Sequence, residues 1–261
     1  MDLSIRFENT PGLPENRGPI TVGWFLNTQK SGVIYFPPER FRGAEKNREH
    51  AKSASRCPAV INMESRYFVF RSPIDMHLGF IRDKDGKPGL RNLAGDMSAV
   101  RSNKLGQMIT MANEREWRYP GVPTLQLTLP YVLIADEPVY VTQLAPFMHY
   151  QKDPWPGTIF GGRFPINVWP RPLMWAFEWQ DTEKPLKINR GDPLFYVMFE
   201  GLSPDRSFAL VEAELTKDLE EYMEFVSGAV NYVNQTFSLF ERAEEIRPQT
   251  LLTPIKRRRE D

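Results

Sequence analysis

Residues 174–201 constrain the fold of this chain more than any other stretch. Two apolar runs, 174–179 and 194–199, flank a shorter run at 186–189, and polar turns separate the three. The second turn has the sequence Gly-Asp-Pro, in which glycine accepts a positive φ and proline fixes the next φ, so the chain can reverse sharply there. The stretch therefore predicts three consecutive β-strands at the centre of an apolar core.

The composition also favours a chain built mainly from strands and turns. Proline occurs 23 times and aromatic residues make up 12% of the 261 residues, which favours strands and extended loops over a helical bundle. A hydrophobic content of 41% is enough for a substantial core. We therefore expect a mainly β protein, in which residues 1–214 form an antiparallel β-sandwich or jelly roll.

The character of the sequence changes near Thr216. The thirty residues that begin there contain no proline and a single glycine, and their apolar residues recur every three or four positions. This spacing predicts a long C-terminal α-helix over 215–246 with Thr216 as its N-cap. We expect its apolar stripe to pack across the β domain or to meet a partner helix. Residues 247–261 are expected to form a mobile basic tail.

Charge and cysteine content limit the classes of partner and compartment. Lys plus Arg and Asp plus Glu number 33 each, so the net charge is zero and nucleic acid is not expected as the main partner. Cys57 is the single cysteine, for which we expect a buried apolar role, and the absence of a disulfide pair indicates a reducing compartment. We expect a cytoplasmic protein. The sequence has no apolar run of about 18 residues, so no membrane span is expected.

Asp75, His77 and His149 are the candidate metal ligands. Residues two apart in a strand point to the same face, so Asp75 and His77 could bind one ion together. Two histidines and one carboxylate form the ligand set of non-haem iron oxygenases, and Arg163 could then bind an acidic co-substrate. The order Asp-x-His differs from the usual His-x-Asp order, and histidines among strands are more often structural. A cupin-like or non-haem iron enzyme, holding iron or another divalent metal, is therefore an alternative hypothesis.

Four tryptophans fall within 25 residues, in and beside a proline-rich segment; they are Trp155, Trp169, Trp175 and Trp179. The first interpretation is structural packing of a sheet face under the proline-rich loop, because aromatic residues dominate protein cores. The second interpretation is an aromatic platform for sugar rings or bases, with Arg163 as a further ligand contact. It would make the protein a carbohydrate- or nucleotide-binding module.

A complete catalytic motif is missing from the sequence, which contains neither a phosphate-binding glycine loop nor a Gly-x-Ser-x-Gly elbow. The first hypothesis is therefore a non-catalytic binding or structural protein without a cofactor. We expect it to assemble as a homo-oligomer, or with a protein partner, through the helix at 215–246 or through the proline-rich segment with tryptophans at 146–172.

Two segments resemble a family of phage and bacterial proteins that is known only as a domain of unknown function. The first segment, 57–78, has a Cys-Pro opening and a Pro-x-Asp strand. The second, 157–201, has a glycine-led turn, a Trp-x-Phe strand and a Gly-Asp-Pro turn; the matching residues are Gly162, Trp175, Phe177, Gly191, Asp192 and Pro193. The resemblance implies a compact β-rich fold of jelly-roll or deoxyuridine-triphosphatase-like type, and it carries no known activity. If a phage encodes the protein, the expected compartment is the cytoplasm of the bacterial host.

Overall fold

Strands dominate the structure. The computed structural model describes residues 18–28, 32–42, 56–98, 100–203, 205–229 and 236–255. The strands in these residues are β1 (Ile20–Leu26), β2 (Glu39–Arg40), β3 (Tyr67–Arg71), β4 (Met76–Arg82), β5 (Pro88–Asn92), β6 (Ile109–Met111), β7 (Thr124–Ile134), β8 (Val139–Leu144), β9 (Gly157–Ile159), β10 (Arg163–Pro165), β11 (Pro172–Trp179), β12 (Leu186–Ile188), β13 (Pro193–Gly201) and β14 (Phe208–Glu212). The helices are α1 (Pro58–Glu64), α2 (Ser102–Met108), α3 (Lys217–Ala229) and α4 (Thr236–Glu245). The predicted mainly β architecture is confirmed.

The strands form three sheets within the described residues. Sheet A has the order β14-β1-β7-β11-β9, with β6 also paired to β7. Sheet B has the order β10-β8-β13-β3-β2, and the small sheet C has the order β12-β4-β5. The pairing of β1 with β14 is parallel, whereas the pairs around β7, β13 and β4 are antiparallel.

The stretch 174–201 supplies a strand to every sheet. Strand β11 lies in sheet A, β12 in sheet C and β13 in sheet B. Their antiparallel partners from earlier in the chain are β7, β4 and β3, respectively, and β8 pairs with β10. These four pairs are nested along the chain: β3 pairs with β13, β4 with β12, β7 with β11 and β8 with β10. The stretch therefore organises the fold, as its sequence predicts.

The main core lies between the inner faces of the sheets. Alternate residues of β11, which are Trp175, Phe177 and Trp179, are fully buried in the same cluster as Phe195 and Phe199 of β13. Sheet C adds apolar side chains from β4 and β12 to this cluster. Each such side chain contributes about 1.5–3 kcal/mol when it leaves water, so this cluster dominates the stabilisation of the fold.

The long helix predicted over 215–246 is replaced by two shorter helices, α3 and α4. The hydroxyl of Tyr222 on α3 lies 3.0 Å from the carbonyl oxygen of Ala243 on α4. In one continuous helix these two residues would be about 30 Å apart, so the helices must fold back on each other. Both helices present apolar residues to the same sheet, and the sequence therefore shows the periodicity of a single helix. The linker, 230–235, lies outside the described residues.

The outer face of sheet A is covered by this helical layer. Leu219, Met223 and Val226 of α3 belong to one buried cluster with Val132 and Ile134 of β7. The predicted N-cap is confirmed, because the hydroxyl oxygen of Thr216 accepts a hydrogen bond from the backbone N–H of Leu219 at 3.3 Å. The apolar stripe of the helix is thus used inside the fold.

Residues 247–255, which the sequence assigns to a mobile tail, pack against the body instead. Leu251 is buried, and the carboxylate of Asp136 accepts hydrogen bonds from the backbone N–H groups of Leu251 at 2.7 Å and Leu252 at 3.2 Å. The guanidinium of Arg247 donates to the carbonyl of Asn167. The basic run at 256–259 lies outside the described residues.

The residue pattern also predicts strands at 3–8, 32–36 and 105–111 and a β run from Cys57. The last three of these, and the buried role expected for Cys57, differ from the structure. The β run expected from Cys57 is the helix α1, because Pro58 occupies its first turn, where a missing N–H leaves no bond unmade. Cys57 itself is exposed and does not have the predicted buried role. The strand predicted at 32–36 is irregular, and the one at 105–111 is limited to β6. The strand predicted at 3–8 lies outside the described residues.

None of the helices in the described residues is long and apolar enough to cross a membrane.

Candidate functional site

The three candidate metal ligands lie in different places. Asp75 precedes β4, and its carboxylate accepts the backbone N–H of Arg190 at 2.8 Å, which fastens the turn before β13. His77 points outward from β4, and His149 lies in a turn after β8, where its backbone N–H donates to the carbonyl of Pro146. Among the described residues, no three His, Cys, Asp or Glu residues form a group that could hold a metal ion. The structure therefore does not bring the triad together.

Two of the four tryptophans are core residues. Trp175 and Trp179 have no exposed surface, and the ring of Trp175 stacks on Phe177 with centroids 5.2 Å apart. The indole N–H of Trp179 donates to the carbonyls of Asp181 at 2.9 Å and Lys184 at 3.1 Å. Because both rings are enclosed, they are not available as an exposed platform for sugars or bases, and they pack as the structural interpretation predicts.

The other two tryptophans are half-buried at the edges of the core. Trp169 lies between the guanidinium of Arg171, 4.9 Å from its ring centroid, and the ring of Phe240 on α4 at 5.2 Å. It therefore fastens the helical layer to the sheet. Trp155 packs perpendicular to Trp175, with centroids 5.9 Å apart, and it also lines a surface cleft.

The cleft beside Trp155 has a volume of about 230 Å³. One wall comes from sheet C, where His77 of β4 is directly opposite Lys187 of β12. Both residues point outward, because their apolar neighbours in the strands fill the core. The other walls are the loop at 153–156 and the turn at 184–185.

Backbone hydrogen bonds fix the loop that forms the cleft. The carbonyl of Pro156 accepts the backbone N–H groups of Gln180 at 3.0 Å and Asp181 at 2.9 Å. Three prolines, at positions 154, 156 and 185, further restrict the walls. The cleft is therefore shaped before any ligand arrives.

Some charged residues of the cleft form an ion pair and others do not. The ammonium of Lys184 lies 2.8 Å from the carboxylate of Asp181, and this hydrogen bond lowers the pKa of Asp181 and raises the pKa of Lys184. Lys187 and Asp153 line the same cleft but form no ion pair with each other or with another described residue. Within the described part of the chain, one positive and one negative side chain are thus left to interact with a ligand.

A second candidate surface is the outer face of sheet B, away from the core. We call it the open face; it consists of the outward residues Tyr140 and Thr142 of β8, Arg163 of β10, and Met198 and Glu200 of β13. The guanidinium of Arg163 bonds to the Glu200 carboxylate at 2.9 Å and lies 3.9 Å from the ring centroid of Tyr140. Arg163 is therefore already engaged and does not point at the candidate metal ligands.

The loop at 145–150, which we call the aromatic loop, continues the open face. Phe147 is 56% exposed, Met148 is 53% exposed and Tyr150 is 88% exposed. The ring of Phe147 meets Tyr67 edge-on at 6.0 Å and Tyr196 at 5.5 Å. Phe147 thus connects the loop to the aromatic residues of sheet B.

A buried carboxylate on sheet A offers no further chemistry. Glu178 is only 2% exposed, and both of its oxygens accept hydrogen bonds from Arg118, at 2.7 and 2.6 Å. The guanidinium of Arg118 also lies 4.8 Å from the ring centroid of Tyr119 and 5.2 Å from that of Phe160. Because both carboxylate oxygens are occupied, Glu178 is a structural anchor and not an available acid or base.

Sequence reasoning missed the residues that complete both surfaces. Lys187 is a charged residue between two buried ones, Leu186 and Ile188, and such a position in a strand points to solvent. Its cross-strand partner, His77, comes from more than a hundred residues earlier, so their proximity has no local signal. The sequence shows Phe147 and Met148 as apolar residues in a turn-rich segment. It does not show that their side chains are exposed next to sheet B.

No protein-family model matches the chain, no curated protein matches it, and no solved structure matches it. The resemblance to the phage and bacterial family, and a phage origin of the chain, therefore stay predictions. The function has to be inferred from the surfaces described above.

Proposed function

We propose that this protein is a non-catalytic assembly protein, which pairs with a second copy of itself through the open face and the aromatic loop. The fold supports the proposal because paired strands hold the open face in place. The nested pairs β3–β13, β4–β12, β7–β11 and β8–β10 favour the jelly-roll form of a β-sandwich, which presents broad sheet faces.

The observation that carries the proposal is the exposed apolar tip at Phe147, Met148 and Tyr150. Soluble monomers rarely expose contiguous apolar patches larger than a few hundred Å², and exposed patches of that kind mark interaction surfaces. Tyrosine, phenylalanine, methionine and arginine, which make up much of the tip and the open face, are also the residue types enriched in the centres of interfaces.

The charges of the open face favour a second copy as the partner. In a two-fold dimer the same patch meets itself, so the patch must be complementary to itself. Arg163 and Glu200 stand side by side, and the pair carries no net charge. In a two-fold arrangement Arg163 of one copy can therefore face Glu200 of the other without repulsion.

The buried apolar stripe of α3 does not offer an equivalent surface. Leu219 and Val226 are each 1% exposed, because they pack on sheet A. Assembly through the aromatic loop, which lies at the start of the segment 146–172 that the sequence suggests as the other route, is therefore proposed in place of assembly through the helix.

Analytical ultracentrifugation over a concentration series tests the proposal. The protein is expected to dimerise below about 100 µM, and Arg163→Glu or Glu200→Arg should each weaken dimerisation, because like charges facing each other across an interface cost several kcal/mol. The double exchange Arg163→Glu/Glu200→Arg should restore the dimer, since the complementary pairs are rebuilt.

Arg82→Glu is the matched control. Arg82 forms a similarly exposed ion pair with Glu114, at 2.6 Å, outside the open face. Its replacement should leave dimerisation unchanged. A strict monomer at 100 µM, or equal weakening by Arg82→Glu, would overturn the proposal.

A further inference from the structure

We infer that the cleft beside Trp155 is a binding site for a small zwitterion, a molecule with one carboxylate and one ammonium group, such as a free α-amino acid. This site lies outside the open face and does not depend on assembly.

The wall on sheet C suits the carboxylate of such a ligand. His77 and Lys187 are directly opposite each other in an antiparallel pair, where Cβ atoms lie about 5 Å apart. An ammonium and an imidazole N–H at that spacing can both donate to one carboxylate, and hydrogen bonds of this charged kind are the strong ones. Lys184 does not serve this role, because Asp181 already neutralises it.

The loop wall suits the ammonium group. Asp153 is exposed in the cleft, and no ion pair joins it to Lys187 or to another residue of the described chain. Two opposite charges that line one cleft without pairing can each bind one end of a ligand that spans them. A ligand with a single charge would leave one of the two without a partner.

The size and the apolar walls limit the ligand further. The volume of about 230 Å³ is below the range of roughly 300–1,000 Å³ typical of drug-sized ligands. A nucleotide or an oligosaccharide is therefore too large to be enclosed. Trp155 and the prolines at 154, 156 and 185 give apolar contact to a ligand side chain, and their stiffness lowers the entropic cost of binding.

Isothermal titration calorimetry with glycine, L-proline, L-leucine and L-phenylalanine tests the inference. At least one of the four is expected to bind saturably. Its N-acetyl derivative, which lacks the ammonium, and its decarboxylated amine should each bind at least about tenfold more weakly, because each loses a charged hydrogen bond.

Two variants assign the ends of the ligand. Lys187→Gln and Asp153→Asn should each weaken binding about tenfold or more, and in Asp153→Asn the preference over the N-acetyl derivative should disappear. Lys217→Gln, which changes an exposed lysine paired with Glu221 on α3, is the matched control and should bind as the unchanged protein does.

Failure to bind any of the four amino acids, or equal binding of the singly charged analogues, would overturn the inference. Binding that Lys187→Gln and Asp153→Asn leave intact would also overturn it. Dimerisation is measured separately on the open face, so neither result decides the other.

Discussion

The outer faces of sheets A and B show two ways for one chain to finish a β-sheet. On sheet A the outward residues Phe25, Val132 and Ile134 are at most 5% exposed, because α3, α4 and the following segment cover them. On sheet B the outward Tyr140 and the neighbouring Phe147 are 37% and 56% exposed. Both sheets bury their inner faces in the same core.

The difference follows from the outward side chains. Aliphatic residues such as Val132 and Ile134 have no polar group to offer to water, so the chain supplies its own cover. Tyrosine, threonine and ion-paired residues tolerate water and still offer contact area, so the face is stable without a helical cover. The helices of sheet A thus contribute to stability, whereas the open face of sheet B is free to contribute to association.

The largest expected contrast is between Leu219→Ala on the covered face and Phe147→Ala on the open face. Leu219 is 1% exposed, and removing its side chain leaves a cavity under α3, so the free energy of unfolding should fall by about 2–5 kcal/mol. Phe147 is more than half exposed, so its replacement should cost less than about 1 kcal/mol.

Urea denaturation followed by tryptophan fluorescence measures both values. A loss below about 1 kcal/mol for Leu219→Ala would mean that the helical layer does not stabilise the sheet, and an equally large loss for Phe147→Ala would remove the distinction between the faces.

A smaller effect is expected from Tyr222→Phe, which tests the fold-back of α3 and α4. The hydroxyl lies 2.6 Å from the carbonyl of Val168 and 3.0 Å from that of Ala243, and its loss should lower the free energy of unfolding by about 1 kcal/mol. A continuous helix would place Ala243 out of reach, and the substitution would then have a smaller effect.

The same tyrosine gives a pH dependence. Burial raises the pKa of Tyr222 to about 12, whereas an unfolded tyrosine ionises near pH 10. Between these values the unfolded chain loses its proton first, so the free energy of unfolding should fall as the pH rises from about 10 to about 12. Tyr222→Phe should reduce this fall. Some of it should remain, because burial also raises the pKa of Tyr131.

The sequence predicted the elements with local periodicity and missed the ones decided by distant contacts. Residues 174–179 of β11 and 194–199 of β13 are almost entirely apolar, so the existence of both strands could be read directly. The helical hairpin could not be recognised, because two helices packed on one sheet repeat the spacing of one helix. Thr216 was identifiable as an N-cap since capping depends on residues only three positions apart.

The candidate sites were predicted less completely for the same reason. His77 and Trp155 were both singled out, but for different functions, since nothing local shows that they border one cleft. Lys187 became visible only through its pairing with His77 across β4 and β12. The metal hypothesis joined Asp75 to His77 by strand spacing, whereas Asp75 is held by the turn at Arg190.

The smallest expected change in stability comes from Arg163→Gln on the open face. This variant separates the role of the ion pair in dimerisation from its role in the stability of the monomer. The Arg163–Glu200 pair is about half exposed on both sides, at 51% and 42%, and exposed pairs contribute only about 0–1 kcal/mol. We expect the free energy of unfolding of the monomer, measured at low protein concentration, to change by less than about 0.5 kcal/mol. Dimerisation should weaken in the same variant, because the contact to the second copy is lost. A loss of several kcal/mol of monomer stability would show that the pair holds sheet B together, and the open face would then resemble the covered face in its role.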